Sequence, residues 1–179
     1  PNPRVIATVG AYPKNIKFYP VTAVILNVGS NLKNEQVKTI QTEILINSDI
    51  SKVWNALMDF ENHPKWNPFI KSISGDQKVG NQLTVSIKPP DGNGMTFRPK
   101  ILILEKNREF RWKGKLIING IFDGEHFFKL ESLGENQTRF IHGENFSGIL
   151  VALMSKVLDK TKDGFQLMNE SIKKECERK

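Results

Sequence analysis

Asn47-Ser48-Asp49-Ile50-Ser51-Lys52-Val53-Trp54-Asn55-Ala56-Leu57-Met58-Asp59-Phe60, then His63-Pro64-Lys65-Trp66-Asn67-Pro68-Phe69, reads as a strand end, a capped short helix, a helical turn and a new strand. Ser48 or Asp49 offers the N-cap. Val53, Trp54, Leu57 and Met58 recur at helical spacing and face a core. Pro64 and Pro68 bracket the turn that holds Trp66. A strand, two short helices and a strand in that order predict a sheet closing around a cavity, with Trp54 and Trp66 packing the helices onto it.

Just before this run, Val37–Asn47 alternates, placing Ile40, Thr42, Ile44 and Ile46 on one face of a strand. After it come Phe69–Ser74, ending at Gly75-Asp76, and Gln82–Lys88, ending at Pro89-Pro90-Asp91-Gly92. Met95–Glu105 is long and carries Pro99, which implies an edge strand or a bulge. Glu109–Lys115, Phe122–Ser132 and Gln137–Phe146 complete seven antiparallel strands. A helix over about 148–174 carries Leu150, Leu153, Met154, Val157, Leu158, Phe165, Met168 and Ile172 as one stripe, and burial of that stripe must stabilise it. Gly164 interrupts the helix, either because something approaches closely there or harmlessly. The expected fold is α+β: a strongly curved seven-stranded antiparallel sheet wrapped around a long C-terminal helix, with space between them.

Residues 1–37 read differently. Pro3, Pro13 and Pro20 break them up, and Val21–Val28 is an apolar run that could be an added strand and has a faint secretory character. We take 1–37 as an arm or leader outside a main domain at 38–179. Of the net charge of +7, residues 1–40 hold five basic residues against one acidic, or +4, which leaves +3 for the rest. A basic excess gathered there, with no basic helix or aromatic-basic module, argues for a solvated surface and against nucleic-acid binding. Hydrophobic residues at 39% and charged residues at 25% give a globular chain rather than a disordered one. No apolar run approaches the ~18 residues of a membrane helix. The single cysteine, Cys176, precludes an internal disulfide or a cysteine metal cluster, fits a reducing compartment, and reads as an exposed thiol in a charged tail. A cytoplasmic location is the expectation.

The Ser-Asp-Ile-Ser-Lys-Val-Trp-Asn-Ala-Leu-Met-Asp run at 48–59 and the turn at 63–69 resemble the START-like, helix-grip superfamily. So do Arg108–Trp112, Phe122–Leu130 and His142–Leu150, and the likeness is to its polyketide cyclase/dehydrase-like branch. It covers 38 to about 175. It implies the curved sheet gripping one helix, and it leaves activity open among lipid carriers, hormone receptors, cyclases, hydrolases and co-chaperones.

Strand parity then locates the polar candidates. Phe128 and Leu130 share a face with His126, and Phe140 and Phe146 share one with His142 and Glu144. A turn centred on Glu135 sets Ser132 opposite Thr138, His126 opposite Glu144 and Phe128 opposite His142. Cross-strand neighbours approach within ~5 Å, so two imidazoles and a carboxylate converge inside an apolar surface. They can be a structural polar patch, an anchor for a ligand's polar head, or a general-base dyad or two-His-one-carboxylate metal site. Arg111 alternates with Phe110 and Trp112 and should face solvent, whereas Pro99 leaves Arg98 without a phase.

No phosphate loop, nucleophile elbow or zinc-helix motif is present, so neither a cofactor nor a metal is expected. The leading expectation is binding of a small hydrophobic or amphipathic molecule, lipid- or polyketide-like, between sheet and helix. Trp112, Phe128, Phe140, Phe146, Met154 and Leu158 would wall it, His126, His142 and Glu144 would orient its polar group, and the Pro89–Gly94 loop would gate it. The alternatives are a cyclase or hydrolase using a His–Glu pair in the same pocket, and a protein-interaction module with a filled core.

Overall fold

The structure, a computed structural model, describes residues 37–88, 94–115, 123–148, 151 and 155–178, with the backbone alone for 155–160. The arm at 1–36, the gate loop at 89–93, Met154 and the side chain of Leu158 lie outside the described residues.

Strand β1 (Lys38–Ile46) leads into α1 (Ile50–Met58) and α2 (His63–Trp66). The N-cap of α1 is Asp49, whose carboxylate accepts from the Ser51 N–H at 2.8 Å. All four residues of the expected apolar face of α1 are buried. Pro64 sits in the first turn of α2, where its missing N–H costs nothing. Asn67 then accepts from the N–H groups of Phe69 and Ile70, turning the chain into β2 (Ile70–Ser74).

Next come β3 (Thr84–Ile87), β4 (Met95–Phe97), β5 (Lys100–Glu105), β6 (Glu109–Lys115), β7 (Asp123–Gly134), β8 (Gln137–Ser147) and α3 (Ser155–Glu177). The long strand expected at Met95–Glu105 is two strands, so the described residues hold eight strands rather than the seven expected. The break falls at Arg98–Pro99, where proline cannot donate to a ladder. The halves join different sheets, ordered β1-β8-β7-β6-β5 and β2-β3-β4. The Gln82–Lys100 bridge and the hydrogen bonds Leu83 N–H to Pro99 C=O and Ile101 N–H to Asn81 C=O, both 2.9 Å, tie the two together. The curved wrap is thus two sheets joined at a corner rather than one bent sheet.

Helix α3 lies across the five-stranded sheet, mainly over β1. Its expected stripe is buried where side chains are described, at Phe165, Met168 and Ile172. Lys173 donates to the Leu45 carbonyl at 2.7 Å, and the Asn47 N–H donates to Glu177 at 2.6 Å, clamping the helix end to β1. The helix runs a turn past the expected end. Cys176 is therefore not an exposed tail thiol but is 2% exposed, joined to the core beside Ile172. Burial pushes that thiol up to about 11. Gly164 faces Phe69, and a Cβ there would meet the ring at 3.5–3.9 Å, an ordinary contact. Gly164→Ala should therefore recover the helix propensity, raising stability by up to about 1 kcal/mol, read as a higher urea midpoint at unchanged m.

Candidate functional site

The inner face of β6, β7 and β8 carries the site. Parity points Phe110, Trp112 and Gly114 inward from β6, Gly124, His126, Phe128 and Leu130 from β7, and Phe140, His142, Glu144 and Phe146 from β8. The register is the one expected from the turn: Ser132 opposite Thr138, Phe128 opposite His142, His126 opposite Glu144. Trp112 pairs with His126 across β6 and β7, and the two rings stack at 5.2 Å and 19°.

The three polar groups form a line rather than a cage. Glu144 Oε2 lies 3.4 Å from His126 Nδ1, and His126 Nε2 lies 2.8 Å from His142 Nε2. His142 Nδ1 lies 3.1 Å from Asn169 Oδ1 on α3. Asn169 Nδ2 donates to Thr42 Oγ1 on β1 at 3.0 Å, and Thr42 donates to the His142 carbonyl at 3.3 Å. A string of hydrogen bonds thus ties β7 and β8 to helix and first strand. Because both histidine Nε2 atoms face each other, their lone pairs are not gathered on one point. Among the described residues no three His, Cys, Asp or Glu converge as metal ligands.

The string runs from a sealed end to an open one. His142 and Asn169 are 1% and 2% exposed, whereas the side chains of His126 and Glu144 are 14% and 20% exposed. Burial first, and then nearby His126, drives the His142 pKa well below its ordinary value against the opposing pull of Asn169 and the Phe165 carbonyl, so this ring is neutral near pH 7. Phe165 on α3 closes over it, stacked at 4.1 Å.

Two glycines shape the open end. Gly114 and Gly124 are cross-strand partners and bring no side chains to the inner face. A Cβ on Gly124 would lie 2.1 Å from Glu144 Oε1, so the carboxylate rests directly over that backbone. A Cβ on Gly114 would meet Phe97 at 3.6 Å and Pro99 at 3.9 Å.

Of the expected apolar walls, Phe128 and Phe140 are fully buried and belong to the main core on the sealed side, stacked at 5.9 Å. Trp112 is in that core as well. Phe146 belongs to a second cluster with Ile40, Val151 and Phe165. The polar string lies between the two. Arg111 does not stand free in solvent: it is on the outer face, paired to Glu109 and Glu125, with its guanidinium 5.1 Å over the Phe127 ring. Arg98 is exposed between β4 and β5. A surface depression of about 270 Å³ lies elsewhere, where Trp66, Asp59 and Lys65 meet Glu175 and Arg178, and it includes none of the expected site residues.

Sequence reasoning missed Asn169, Thr42's role and the glycine pair. The signals existed. Asn169 is one helical turn after Phe165 and three residues before Ile172, a polar residue inside an apolar stripe. Gly114 and Gly124 share parity with Trp112 and His126.

Solved structures with this fold include the Zhui aromatase/cyclase from Streptomyces sp. R1128, at 11% identity and TM-score 0.63, matched over 80% of this chain and 95% of that one. A Thalictrum flavum norcoclaurine synthase point mutant matches at 14% identity and TM-score 0.62, over 79% and 94%. The Ara h 8.0201 structure matches at 18% identity and TM-score 0.54, over 76% and 98%. These likenesses carry the fold, that of the START-like, Bet v 1-like helix-grip superfamily. No curated protein matches the chain by sequence. No helix of the described residues is long and apolar enough to cross a membrane. With the family model for polyketide cyclase/dehydrase and lipid transport matching residues 38–176, the chain belongs to that family.

Proposed function

We propose that residues 38–179 bind a small hydrophobic or amphipathic molecule against the inner face of the sheet beneath α3, with His126 and Glu144 holding its polar group. One observation carries the reading: a hydrogen-bonded string anchored in the sealed core ends in a carboxylate that is partly exposed on an otherwise apolar inner surface. A purely structural polar patch has no need of that open end. Trp112 and Phe146 supply apolar wall beside it, and the family's description, which includes lipid transport, agrees with such a ligand. His142 acts from the sealed side, through His126.

Native mass spectrometry of protein purified from its host, with extraction and identification of any retained molecule, tests this directly. His126→Phe should keep the fold and lose the retained molecule. Full retention by a folded His126→Phe protein would end the polar-anchor reading.

A second reading has its own support in the His126–Glu144 pair, which has the geometry of an acid–base dyad. A cyclase- or hydrolase-type enzyme would move a substrate proton through it. Turnover lost on Glu144→Gln would favour that reading, and a rate unchanged by Glu144→Gln would exclude this dyad from the chemistry.

A further inference from the structure

Two neighbouring inward positions at the open end have no side chain of their own, and each is covered by one from elsewhere. Glu144 Oε1 rests where a Gly124 side chain would stand. The place over Gly114, directly opposite Gly124, is filled by Phe97, whose Cδ2 and Cε2 lie 3.6 and 4.0 Å from a Cβ built there. Phe97 reaches it from the other sheet. It pairs with the fully buried Val85 across β3 and β4, so its ring points inward as Val85 does, yet Phe97 is only half-buried. Its strand is a three-residue edge of the smaller sheet, and the chain leaves that ladder at Arg98–Pro99. A ring held this way turns about its side-chain torsions without opening any pairing of the five-stranded sheet. Half-burial gives up much of the free energy that locks a fully buried ring, so the turned-out state is populated in roughly one molecule in ten.

We propose that Phe97 stands in for the ligand: its ring keeps the place over Gly114 that an apolar ring of the ligand takes, and binding turns Phe97 out at the corner between the two sheets. The adjoining place, over Gly124, is where Glu144 meets the ligand's polar group. Residues directly opposed across antiparallel strands have Cα atoms about 4.5–5.5 Å apart. The ligand's ring and polar group therefore lie within a bond or two of each other. That is a compact amphipath, such as an aryl alcohol or aryl amine, rather than a long chain with a distant headgroup. The stacked Trp112–His126 pair is the next inward pair along β6 and β7 and forms the wall that this ring abuts. Phe97 sets the size of the apolar group by the volume it vacates, and it sets the affinity by how readily it leaves.

The inference rests on the ligand-binding reading above, and its test separates the two. N-phenyl-1-naphthylamine, a neutral dye whose N–H is bonded directly to its rings, is titrated by fluorescence into the full chain and into its Phe97→Ala variant. A ligand that must displace Phe97 is weakened by the fraction of molecules in which the place is open, so Phe97→Ala should bind the dye about five- to tenfold more tightly. A fixed wall behaves oppositely, because its removal loses contact area. Equal or weaker binding by Phe97→Ala would overturn the displacement and leave ligand binding standing. Binding by the variant alone would support it. Binding by neither protein would also overturn it, and the retained-molecule measurement then decides the ligand-binding reading separately. A second measurement keeps the ring in place. With 4-fluorophenylalanine substituted for Phe97 alone, the fluorine-19 resonance should move towards its solvent-exposed position as the dye saturates, and should gain sensitivity to exchange of H2O for D2O. A resonance that stays in its buried position at saturation would overturn the displacement whatever the affinities show.

Discussion

Gly143→Ala is expected to cost about 2–3 kcal/mol and lower Tm by roughly 5–10 °C, while Gly124→Ala, one strand away, leaves stability within about 1 kcal/mol. Both glycines lie in paired strands, so propensity alone predicts a small gain at each. What a methyl would meet decides the sign. At Gly143 it would lie 2.6 Å from the Ile40 carbonyl of β1 and 2.5 Å from Cζ of Phe127, which packs over it. The carbonyl is backbone in a ladder and cannot move without opening β1 from β8, the pairing that carries Thr42 opposite His142. At Gly124 the obstruction is Glu144 Oε1, the free end of a flexible side chain. It can swing aside at little cost to folding. In doing so it leaves His126, so Gly124→Ala should lower retention of the host-derived molecule several-fold in a protein whose urea midpoint hardly changes. A Gly124→Ala protein that retained the molecule in full would show that the carboxylate's resting place over the glycine is incidental.

The same two glycines mark the limit of what the sequence displays. Strand parity and a turn centred on Glu135 fix the hairpin's register, because a slip by one residue would turn every side chain of β8 to the other face. His126 could therefore be set opposite Glu144 before any coordinates. Helix periodicity gives a stripe but not the rotation of α3 over the sheet, so Asn169, which bonds His142, was not singled out. Reading a stripe by its hydrophobic members alone discards the polar member that is buried on purpose. Glycine was read for turns, yet Gly114 and Gly124 act by the absence of a side chain at an inward position. Pro99 was recognised as a fault in a strand. Its consequence, two sheets meeting at a corner, depends on the hydrogen bonds of residues 80–83, which no local pattern shows. Cys176 was misplaced because a charged C-terminal sequence looks like a tail, whereas its spacing of four from Ile172 continues the buried face of α3.

Acid should begin to destabilise this protein before its carboxylates titrate. His63 and His142 are both buried, and burial lowers both pKa values, for His63 against the opposing pull of the Leu57 carbonyl and Asp59. Geometry explains why neither ring accepts a second proton. His63 donates from Nε2 to the Leu57 carbonyl at 2.7 Å, and its Nδ1 is buried with no partner, so protonation would create an N–H with nothing to bind. On His142 both ring nitrogens are already engaged, Nδ1 with Asn169 at 3.1 Å and Nε2 with His126 at 2.8 Å, so a second proton would add a charge that water does not reach. The unfolded chain takes up these protons near pH 6.5 and the native state does not. Their contribution to stability is therefore present above the unfolded value and is lost as pH falls below it. Each histidine contributes a slope of up to about 1.4 kcal/mol per pH unit, so the pair gives up to about 2.7 between roughly pH 6 and the lowered native values. Glu177, whose carboxyl is lowered chiefly by its hydrogen bond from Lys173, acts in the same direction only below its ordinary 4.5, so the windows separate. Urea denaturation from neutral pH to about pH 5 measures the slope. His63→Gln keeps a donor for Leu57 and should halve it. A stability that stayed flat across that range would mean that the native state binds those protons after all, and the neutral His142 would be lost with it.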